Sequence, residues 1–259
     1  MRIVLGIAYE GTNYHGWQRQ ENNLPTIQGY LEAALSKVAD EPISVVTAGR
    51  TDRGVHALGQ VVHFDTTATR AERAWVLGTN AYLPASIRVH WAKPTEENFH
   101  ARFSAFARSY HYIIYNQSTH SANFANKSGW YIKTLNEDQM QTAAAYLIGE
   151  HDFTSFRAGG CQAKSPVRLL HYLTIRREKK FIIIDIKANG FLHHMVRNIV
   201  GVLLPIGAGE CSPEWMQQVL EARDRTQAGI TAPAAGLYFE RAYYPEHYQI
   251  PTDAELLLI

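Results

Sequence analysis

Residues 43–64 read ISVVTAGRTDRGVHALGQVVHF, in which a polar segment separates two short apolar runs at 43–46 and 61–64. Runs of this length that are rich in β-branched residues predict two strands. Between them, residues 48–57 contain two glycines, two arginines, one carboxylate and one histidine. Because glycine bends the backbone easily and lets a ligand approach it closely, we predict a loop that presents Asp52.

Arg50 lies two residues before Asp52. If the backbone is extended here, alternation places both side chains on the same side. A guanidinium close to a carboxylate favours the ionised form and fixes its direction, so Arg50 is predicted to orient Asp52 as a charged oxygen nucleophile. The alternative is a hairpin turn in which Asp52 bonds its own backbone, since Asp followed closely by Gly is common in turns.

The first hundred residues predict an alternation of strands and helices around this loop. Thr26 has the position of a helix cap, while Thr69 and Glu72 have the spacing of a capping box. The strands are predicted at 2–9, 43–46, 60–65 and 87–91, and the helices at 27–38 and 69–81. This order, β-α-β-β-α-β, is that of a ferredoxin-like unit, whose two helices cover one face of an antiparallel sheet and leave the other face open.

The rest of the chain has a similar plan without a sequence repeat. Strands are predicted at 106–115, 169–176, 181–188 and 236–242, and helices at 136–148, 191–206 and from 212 onward. The sequence therefore predicts an α+β protein built from two ferredoxin-like halves, residues 1–105 and 106–259. We expect the halves to join side by side through a mostly antiparallel sheet with helices on one face, and an active cleft to lie between them.

The composition is that of a globular protein, with 259 residues of which 46% are hydrophobic. The formal charge is only +1, but residues 151–200 hold nine Lys and Arg against three Asp and Glu, and residues 201–259 hold three against eight. A basic middle section favours binding to a phosphate backbone. Chance clustering of solvated charges is the alternative.

The sequence also argues against a membrane protein and against a metal site. No apolar run is long enough to span a bilayer and no signal-peptide pattern is present, so a soluble, cytoplasmic protein is expected. The two cysteines, Cys161 and Cys211, lack metal-ligand spacing, and the twelve histidines include no His-x-x-x-His with an acidic partner. No bound metal is therefore predicted.

The loop and five other segments resemble a known family. Gly49-Arg50-Thr51-Asp52 followed by Gly54-Val55-His56-Ala57 resembles the signature of the TruA family of tRNA pseudouridine synthases. Similar segments occur, in the family's order, at 13–20, 59–64, 99–104, 153–157 and 193–198, so the resemblance spans nearly the whole chain. Arg53 departs from the family pattern, which commonly has a small residue there.

The resemblance implies the pseudouridine synthase fold and an isomerase that converts uridine to pseudouridine at positions 38, 39 and 40 of the tRNA anticodon stem-loop. It implies no cofactor and a homodimer whose two subunits together bind one tRNA. Asp52 is then the nucleophile, whether it attacks C1′ or C6 or removes the 2′ proton. By the same match, Tyr110 stacks on the target base, Arg102 pushes that base out of the stack, and Leu237 lines the uracil pocket.

Several of these residues have a structural alternative. Tyr110 shares one face of a predicted strand with two other residues, and periodicity alone favours a packing role. Arg102 is equally suited to a phosphate contact. Tyr14 and Trp17 follow the first strand, where they either stack on bases or cover the edge of the core.

Arg197 interrupts a predicted helix that is otherwise apolar, and a buried charge without a partner is costly. An ion pair with Asp52 is one solution, and a salt bridge to another acidic residue is the other. Four further basic residues are weaker candidates for contacts to the tRNA backbone, namely Arg70, Arg157, Lys164 and Arg168.

The competing function is a catalytically silent tRNA-binding or RNA-folding module with the same aromatic and basic surfaces. Asp52 argues against it, because a carboxylate that faces a polyanion weakens the attraction to phosphate. A carboxylate-dependent hydrolase would need a second acidic residue as acid or base partner, and the sequence offers no matched pair.

Overall fold

The computed structural model describes residues 1–21 and 24–251, which contain ten strands and five α-helices. The strands are β1 (Arg2–Tyr9), β2 (Val46–Thr47), β3 (His56–Asp65), β4 (Ile87–Thr95), β5 (Ala107–Asn116), β6 (Gly129–Tyr131), β7 (Gly149–Asp152), β8 (Val167–Glu178), β9 (Phe181–Ala188) and β10 (Leu237–Tyr243). The helices are α1 (Ile27–Ala39), α2 (Glu72–Tyr82), α3 (Glu137–Ala145), α4 (Met195–Gly207) and α5 (Trp215–Ala222). Most strand pairings are antiparallel, which confirms the predicted α+β class.

Contacts divide the described residues into two compact units, 1–106 with 238–251, and 107–237. The division expected from the sequence placed everything after residue 105 in the second half. The units differ from those halves at the C-terminal end, because β10 pairs with β3 in parallel and the chain after it packs with the first unit.

The first unit contains the ferredoxin-like arrangement predicted for the first hundred residues. Its strands follow the order β4-β1-β3, β2 pairs with β3, and β1 is antiparallel to both of its neighbours. Helix α1 contacts α2, and α2 packs against β4. Helix α1 begins at the predicted cap, where Thr26 Oγ1 accepts a hydrogen bond from the N–H of Gly29 at 3.3 Å, and it buries Leu31 and Leu35.

Strand β2 is shorter than the apolar run that predicted it. The N–H of Ile43 donates to Ser36 Oγ at 2.9 Å, and the N–H of Val45 donates to Glu32 Oε1 at 3.0 Å. Side chains of α1 therefore take the backbone groups that a strand would use for pairing, and the ladder is confined to Val46–Thr47.

Two other predictions in this unit were wrong. The capping box is absent from α2, because Ala71 precedes the helix without a side-chain cap and Glu72 is already its first residue. The face opposite the helices is not open along β1, where residues 3–7 are all buried. A Cβ on Gly6 would lie 2.1 Å from the ring of Trp91. The indole therefore packs directly on the backbone of β1 at Gly6, where there is no side chain in its way.

The second unit has the strand order β5-β9-β8-β7, all antiparallel, with β6 added in parallel to β5. Strands β5, β8 and β9 match their predicted positions to within two residues, and so does β10. Helix α3 packs against β8 and α4, and Asn136 Oδ1 caps it by accepting from the N–H of Gln139 at 3.0 Å. The short strands β6 and β7 were not predicted.

Two helices of this unit begin later than the sequence indicated. Helix α4 begins at Met195 instead of Phe191, because His194 has a left-handed backbone with φ of 60° that a right-handed helix does not continue through. Helix α5 begins at Trp215 after Glu214, not at Ser212. None of the described helices has the length and apolar character needed to cross a membrane.

Candidate active site

Asp52 lies in the connection between β2 and β3, in the first unit. The N–H of Val55 donates to the carbonyl of Asp52 at 3.1 Å, and Gly54 between them has φ of 79°. The backbone from 52 to 55 is thus a hydrogen-bonded turn, which is part of the alternative considered from the sequence. Asp52 is half-buried, while Thr51 before it is buried and Arg53 after it is exposed.

The loop between β1 and α1 braces this turn through backbone contacts. The N–H of Trp17 donates to the carbonyl of Thr51 at 2.9 Å. Gly16 has φ of 87°, and a Cβ there would lie 2.8 Å from the same carbonyl oxygen. A Cβ on Gly11 would lie 1.9 Å from the carbonyl oxygen of Val55. Only glycine fits at these two positions, because the two backbones approach each other more closely than a side chain allows.

Buried side chains of β1 and β3 also hold the loop. The hydroxyls of Tyr9 and Thr51 are 2.8 Å apart. Burial raises the pKa of Tyr9 to about 12, so this phenol is neutral near pH 7 and acts as a hydrogen-bonding group. Gln60 is fully buried and its Nε2 donates to the carbonyl of Gly49 at 2.7 Å.

His56, at the start of β3, links the same loops. Its Nδ1 accepts a hydrogen bond from the N–H of Gly11 at 3.0 Å, and its ring stacks on Tyr238 with centroids 4.6 Å apart. The Glu10 carboxylate lies 3.9 Å from Nδ1. A nitrogen that accepts a backbone N–H carries no proton, so the imidazole serves here as a structural acceptor.

The side chain of Arg50 is exposed, and within the described part of the chain no ion pair joins it to Asp52 at 4.0 Å or less. Residues 50–52 are loop, where the alternation rule for a strand does not apply. The orienting role of Arg50 therefore remains a prediction. Tyr14 and Trp17, at 5% and 1% exposure, belong to the core and are not available for base stacking.

Sequence reasoning did not assign the role of supporting the Asp52 loop to any residue. The structure gives this role to Tyr9, Gly11, Gly16, Trp17 and Gln60. Some of the signal was present, since glycines at 11 and 16 bracket an aromatic loop directly after a strand. Their role becomes visible only when the two loops are seen to touch.

Tyr110 lies on β5 in the second unit. It is 8% exposed, and its ring meets that of Phe191 edge to face with centroids 4.9 Å apart. The neighbouring Tyr112, two residues along the same face, donates its hydroxyl hydrogen to the carbonyl of Pro233 at 2.8 Å. Burial raises the pKa of Tyr112, so its hydroxyl stays protonated and available as this donor.

Arg197 lies in the first turn of α4 and is half-buried. Its Nε donates to the carbonyl of Ala232 at 2.7 Å, and the N–H of Ala232 donates back to the carbonyl of Arg197 at 3.1 Å. Leu237 follows five residues later at 6% exposure. A Cβ on Gly236 would lie 2.7 Å from the carbonyl oxygen of Ile113 on β5. The second unit thus fixes the segment that carries Leu237 against both α4 and β5.

The candidate RNA-contact residues are placed in different ways. Arg102 is exposed, with its guanidinium carbon 5.4 Å from the ring centroid of Phe103. The Arg157 guanidinium donates to the carbonyls of Cys161 and Ala163, so it supports its own loop.

The other three basic candidates lie at the surface or close to it. Arg168 donates to the carbonyls of Ser165 and Val167, and burial lowers its pKa. Arg70 donates to the carbonyls of Val38 and Thr69, and Lys164 is exposed. Their contacts to RNA remain predictions.

The geometry described so far is that of an α+β protein with a half-buried carboxylate on a braced loop of a ferredoxin-like sheet. A family profile described as tRNA pseudouridine synthase matches residues 6–104 and 143–245. The chain belongs to the tRNA pseudouridine synthase family, and enzymes of this family are isomerases.

Individual relatives define the similarity more narrowly. The chain is 55% identical over 250 residues to a protein of Pseudomonas aeruginosa, covering 96% of this chain and 88% of the relative. It is 54% identical over 251 residues to one of Nitrosococcus oceani, covering 97% and 96%, and 53% identical over 250 residues to one of Coxiella burnetii, covering 96% and 95%. Each of these relatives is named tRNA pseudouridine synthase A.

A solved structure shows a more distant similarity. A chain in the crystal structure of a Cbf5-Nop10-Gar1 complex aligns with a TM-score of 0.36 and 11% identity, covering 91% of this chain and 57% of the other.

Proposed function

We propose that the chain isomerises uridine to pseudouridine in tRNA, at positions 38, 39 and 40 of the anticodon stem-loop. Membership of the family and the 53–55% identity to relatives named tRNA pseudouridine synthase A support tRNA as the substrate. We further propose that the enzyme works in the cytoplasm as a homodimer and without a cofactor.

The reaction breaks the bond between N1 of uracil and C1′ of the ribose, turns the base, and forms a bond between C5 and C1′. The hydrogen displaced from C5 is balanced by the proton gained at N1, so no co-reactant is needed. We assign the attacking oxygen to Asp52, acting at C1′ or C6 or as the base that removes the 2′ proton. Holding the reacting carboxylate in one position lowers the barrier because no orientational freedom remains to be lost.

The observation that carries the proposal is the bracing of the Asp52 loop. Trp17 and Gln60 bond its backbone at 2.9 and 2.7 Å, and Tyr9 bonds the Thr51 hydroxyl at 2.8 Å. Glycines at 11 and 16 let the supporting loop approach it. A module that only binds RNA has no need of a half-buried carboxylate held in this way.

The second unit supplies the other proposed roles. Tyr110 would stack on the target uracil, and its contact with Phe191 holds the ring in one orientation. Leu237 would line the uracil pocket, on a segment that Arg197 fixes through Ala232. The ion pair between Arg197 and Asp52 and the orienting role of Arg50 are parts of the same proposal. So is an RNA-facing role of Arg102, either in displacing the base or in contacting phosphate.

The test compares Asp52→Asn with the wild-type chain on unmodified tRNA transcripts that carry a single uridine at 38, 39 or 40. Product is mapped by carbodiimide treatment and primer extension. We expect the wild type to modify each transcript and the variant to lose activity by more than about a thousandfold.

Asp40→Asn is the matched control. It removes the same charge at the end of α1, where the backbone is left-handed and asparagine is tolerated. This control should retain full activity. Equal product from Asp52→Asn and the wild type would remove the mechanism, and tRNA binding by the wild type without any product would establish the silent module instead.

A further inference from the structure

Phe103 is the most exposed large hydrophobic side chain in the described part of the chain, at 75%. An isolated exposed apolar residue is ordinary, but this one belongs to an ordered group. The centroids of the Phe103 and His100 rings are 4.3 Å apart, with 30° between the ring planes, and the guanidinium carbon of Arg102 is 5.4 Å from the Phe103 centroid. An aromatic face and a cation are therefore presented side by side to solvent.

The loop that carries this pair is held by its own side chains. His100 Nδ1 accepts from the N–H of Arg102 at 3.1 Å and from that of Phe103 at 3.2 Å. Ser104 Oγ accepts from the N–H of His100 at 2.9 Å, and the N–H of Ser104 donates to the carbonyl of His100 at 2.9 Å. Burial and the nearby charge of Arg2 lower the pKa of His100, which favours the neutral ring that this acceptor role requires.

The base of the loop is fixed to the rest of the first unit. The N–H of Ala101 donates to His63 Nδ1 at 3.0 Å, and the hydroxyl of Tyr244 donates to the carbonyl of Ala101 at 2.7 Å. Arg2 donates to the carbonyl of Phe99 at 2.7 Å. A surface aromatic on a loop fixed in this way is already ordered, so the protein loses little conformational freedom when a ligand stacks on it.

We propose that Phe103 is a stacking platform for an unpaired base of the substrate RNA, with Arg102 contacting the adjoining phosphate. This inference rests on the proposed function, because it takes RNA as the substrate. Bases have large polarisable faces and stack on exposed aromatic side chains whatever their sequence, while guanidinium groups bind the phosphates between them. Two partners could cover the Phe103 ring, an RNA base or an apolar surface of another protein. The Arg102 cation beside the ring favours RNA, because RNA is a polyanion.

The experiment uses the full-length enzyme with three substitutions at one position: Phe103→Tyr, Phe103→Leu and Phe103→Ala. We measure the Kd for unmodified tRNA by filter binding at several salt concentrations, and kcat and KM for pseudouridine formation. Phe103→Tyr should stay within about twofold of the wild type, because it keeps the aromatic face. Phe103→Leu and Phe103→Ala should raise Kd at least about fivefold.

Salt dependence separates stacking from charge. The slope of log Kd against log salt should be unchanged in Phe103→Leu, since no ion pair is lost. It should fall by about one in Arg102→Gln, which removes one phosphate contact. Leu77→Ala is the control for an exposed apolar residue of the same unit, at 54% exposure on α2, and should change neither Kd nor slope.

Wild-type affinity in Phe103→Leu would overturn the proposal. A fall in the molar mass of Phe103→Ala by light scattering, with unchanged tRNA affinity, would instead assign the ring to contact with a second copy of the chain. The experiment distinguishes a failure of this inference from a failure of the proposed function. If the wild type modifies tRNA and Phe103→Leu behaves like it, only the stacking role is lost. If the wild type makes no pseudouridine but its affinity depends on Phe103, only the proposed reaction is lost.

Discussion

Replacing Tyr9 by Phe tests whether a buried hydroxyl pair holds the Asp52 loop. Tyr9 and Thr51 are 4% and 7% exposed, and their hydroxyl oxygens are 2.8 Å apart. A neutral hydrogen bond contributes about 1 kcal/mol net, while a buried hydroxyl left without its partner costs about 1–3 kcal/mol. We therefore expect Tyr9→Phe and Thr51→Val each to lower the free energy of unfolding by about 1–3 kcal/mol, measured by urea denaturation.

The double variant removes both hydroxyls, so it leaves neither of them without a partner. Its loss of stability should be smaller than the sum of the two single losses by about 1–2 kcal/mol, which is the coupling energy of the pair. Because Thr51 precedes Asp52, each single variant should also lower kcat for pseudouridine formation about tenfold while leaving KM unchanged.

Ser128→Ala is the control for this cycle. It removes a buried hydroxyl of the second unit, which donates to the carbonyl of Phe124 at 3.1 Å, and it changes neither the Asp52 loop nor the loop that braces it. We expect a loss of stability and a wild-type kcat. Two results together would refute the idea that this pair positions Asp52. The loss of stability in the double variant would equal the sum of the two single losses to within about 0.3 kcal/mol, and both single variants would keep the wild-type kcat.

Two further predictions concern the first unit. Gly16→Ala should lower stability and kcat together, since its Cβ would press on the carbonyl of Thr51. Gly209→Ala, with a similar positive φ but open space around it, should lower stability alone, and equal kcat losses in both variants would contradict this. Burial, with the nearby charge of Arg2, lowers the pKa of His63 from 6.5 to about 4, so the unfolded chain takes up a proton before the folded one does. The free energy of unfolding should have its full value above pH 6.5 and fall by at most about 3 kcal/mol as the pH drops toward 4. His63→Asn, measured by denaturation across this range, should flatten that dependence, and an unchanged profile would assign it to other groups.

The secondary structure could be predicted wherever the local pattern decides it. The Thr26 cap and apolar residues at helical spacing define α1, and the isoleucines that alternate along β9 define that strand. The length of β2 could not be predicted, because Ser36 and Glu32 of α1 bond the backbone before it. That competition exists only once the helix and the strand have packed together, so no window of sequence contains it.

The same distinction applies to the candidate site. The glycine-rich motif predicted the loop, which the structure contains between β2 and β3, whereas the role of Asp52 came from the family resemblance and stays a prediction. The supports of that loop are remote in sequence, since Tyr9 lies 42 residues before its partner Thr51. Tyr9 reads as an ordinary strand residue, and only the register that pairs β1 with β3 brings it to the loop.

The structure adds a physical account of how the backbone of the Asp52 loop is positioned. Orientation of the carboxylate by Arg50 or Arg197 stays a prediction, while the loop itself is held by a backbone turn, glycine contacts and neutral side chains. Neutral contacts of this kind do not weaken with salt, whereas an exposed ion pair does. They are also not drawn away by a polyanion, since phosphate competes for guanidinium groups and has no such effect on a buried phenol or amide. For the proposed reaction we therefore expect the backbone of the Asp52 loop to be held by the same neutral contacts before and after RNA binds.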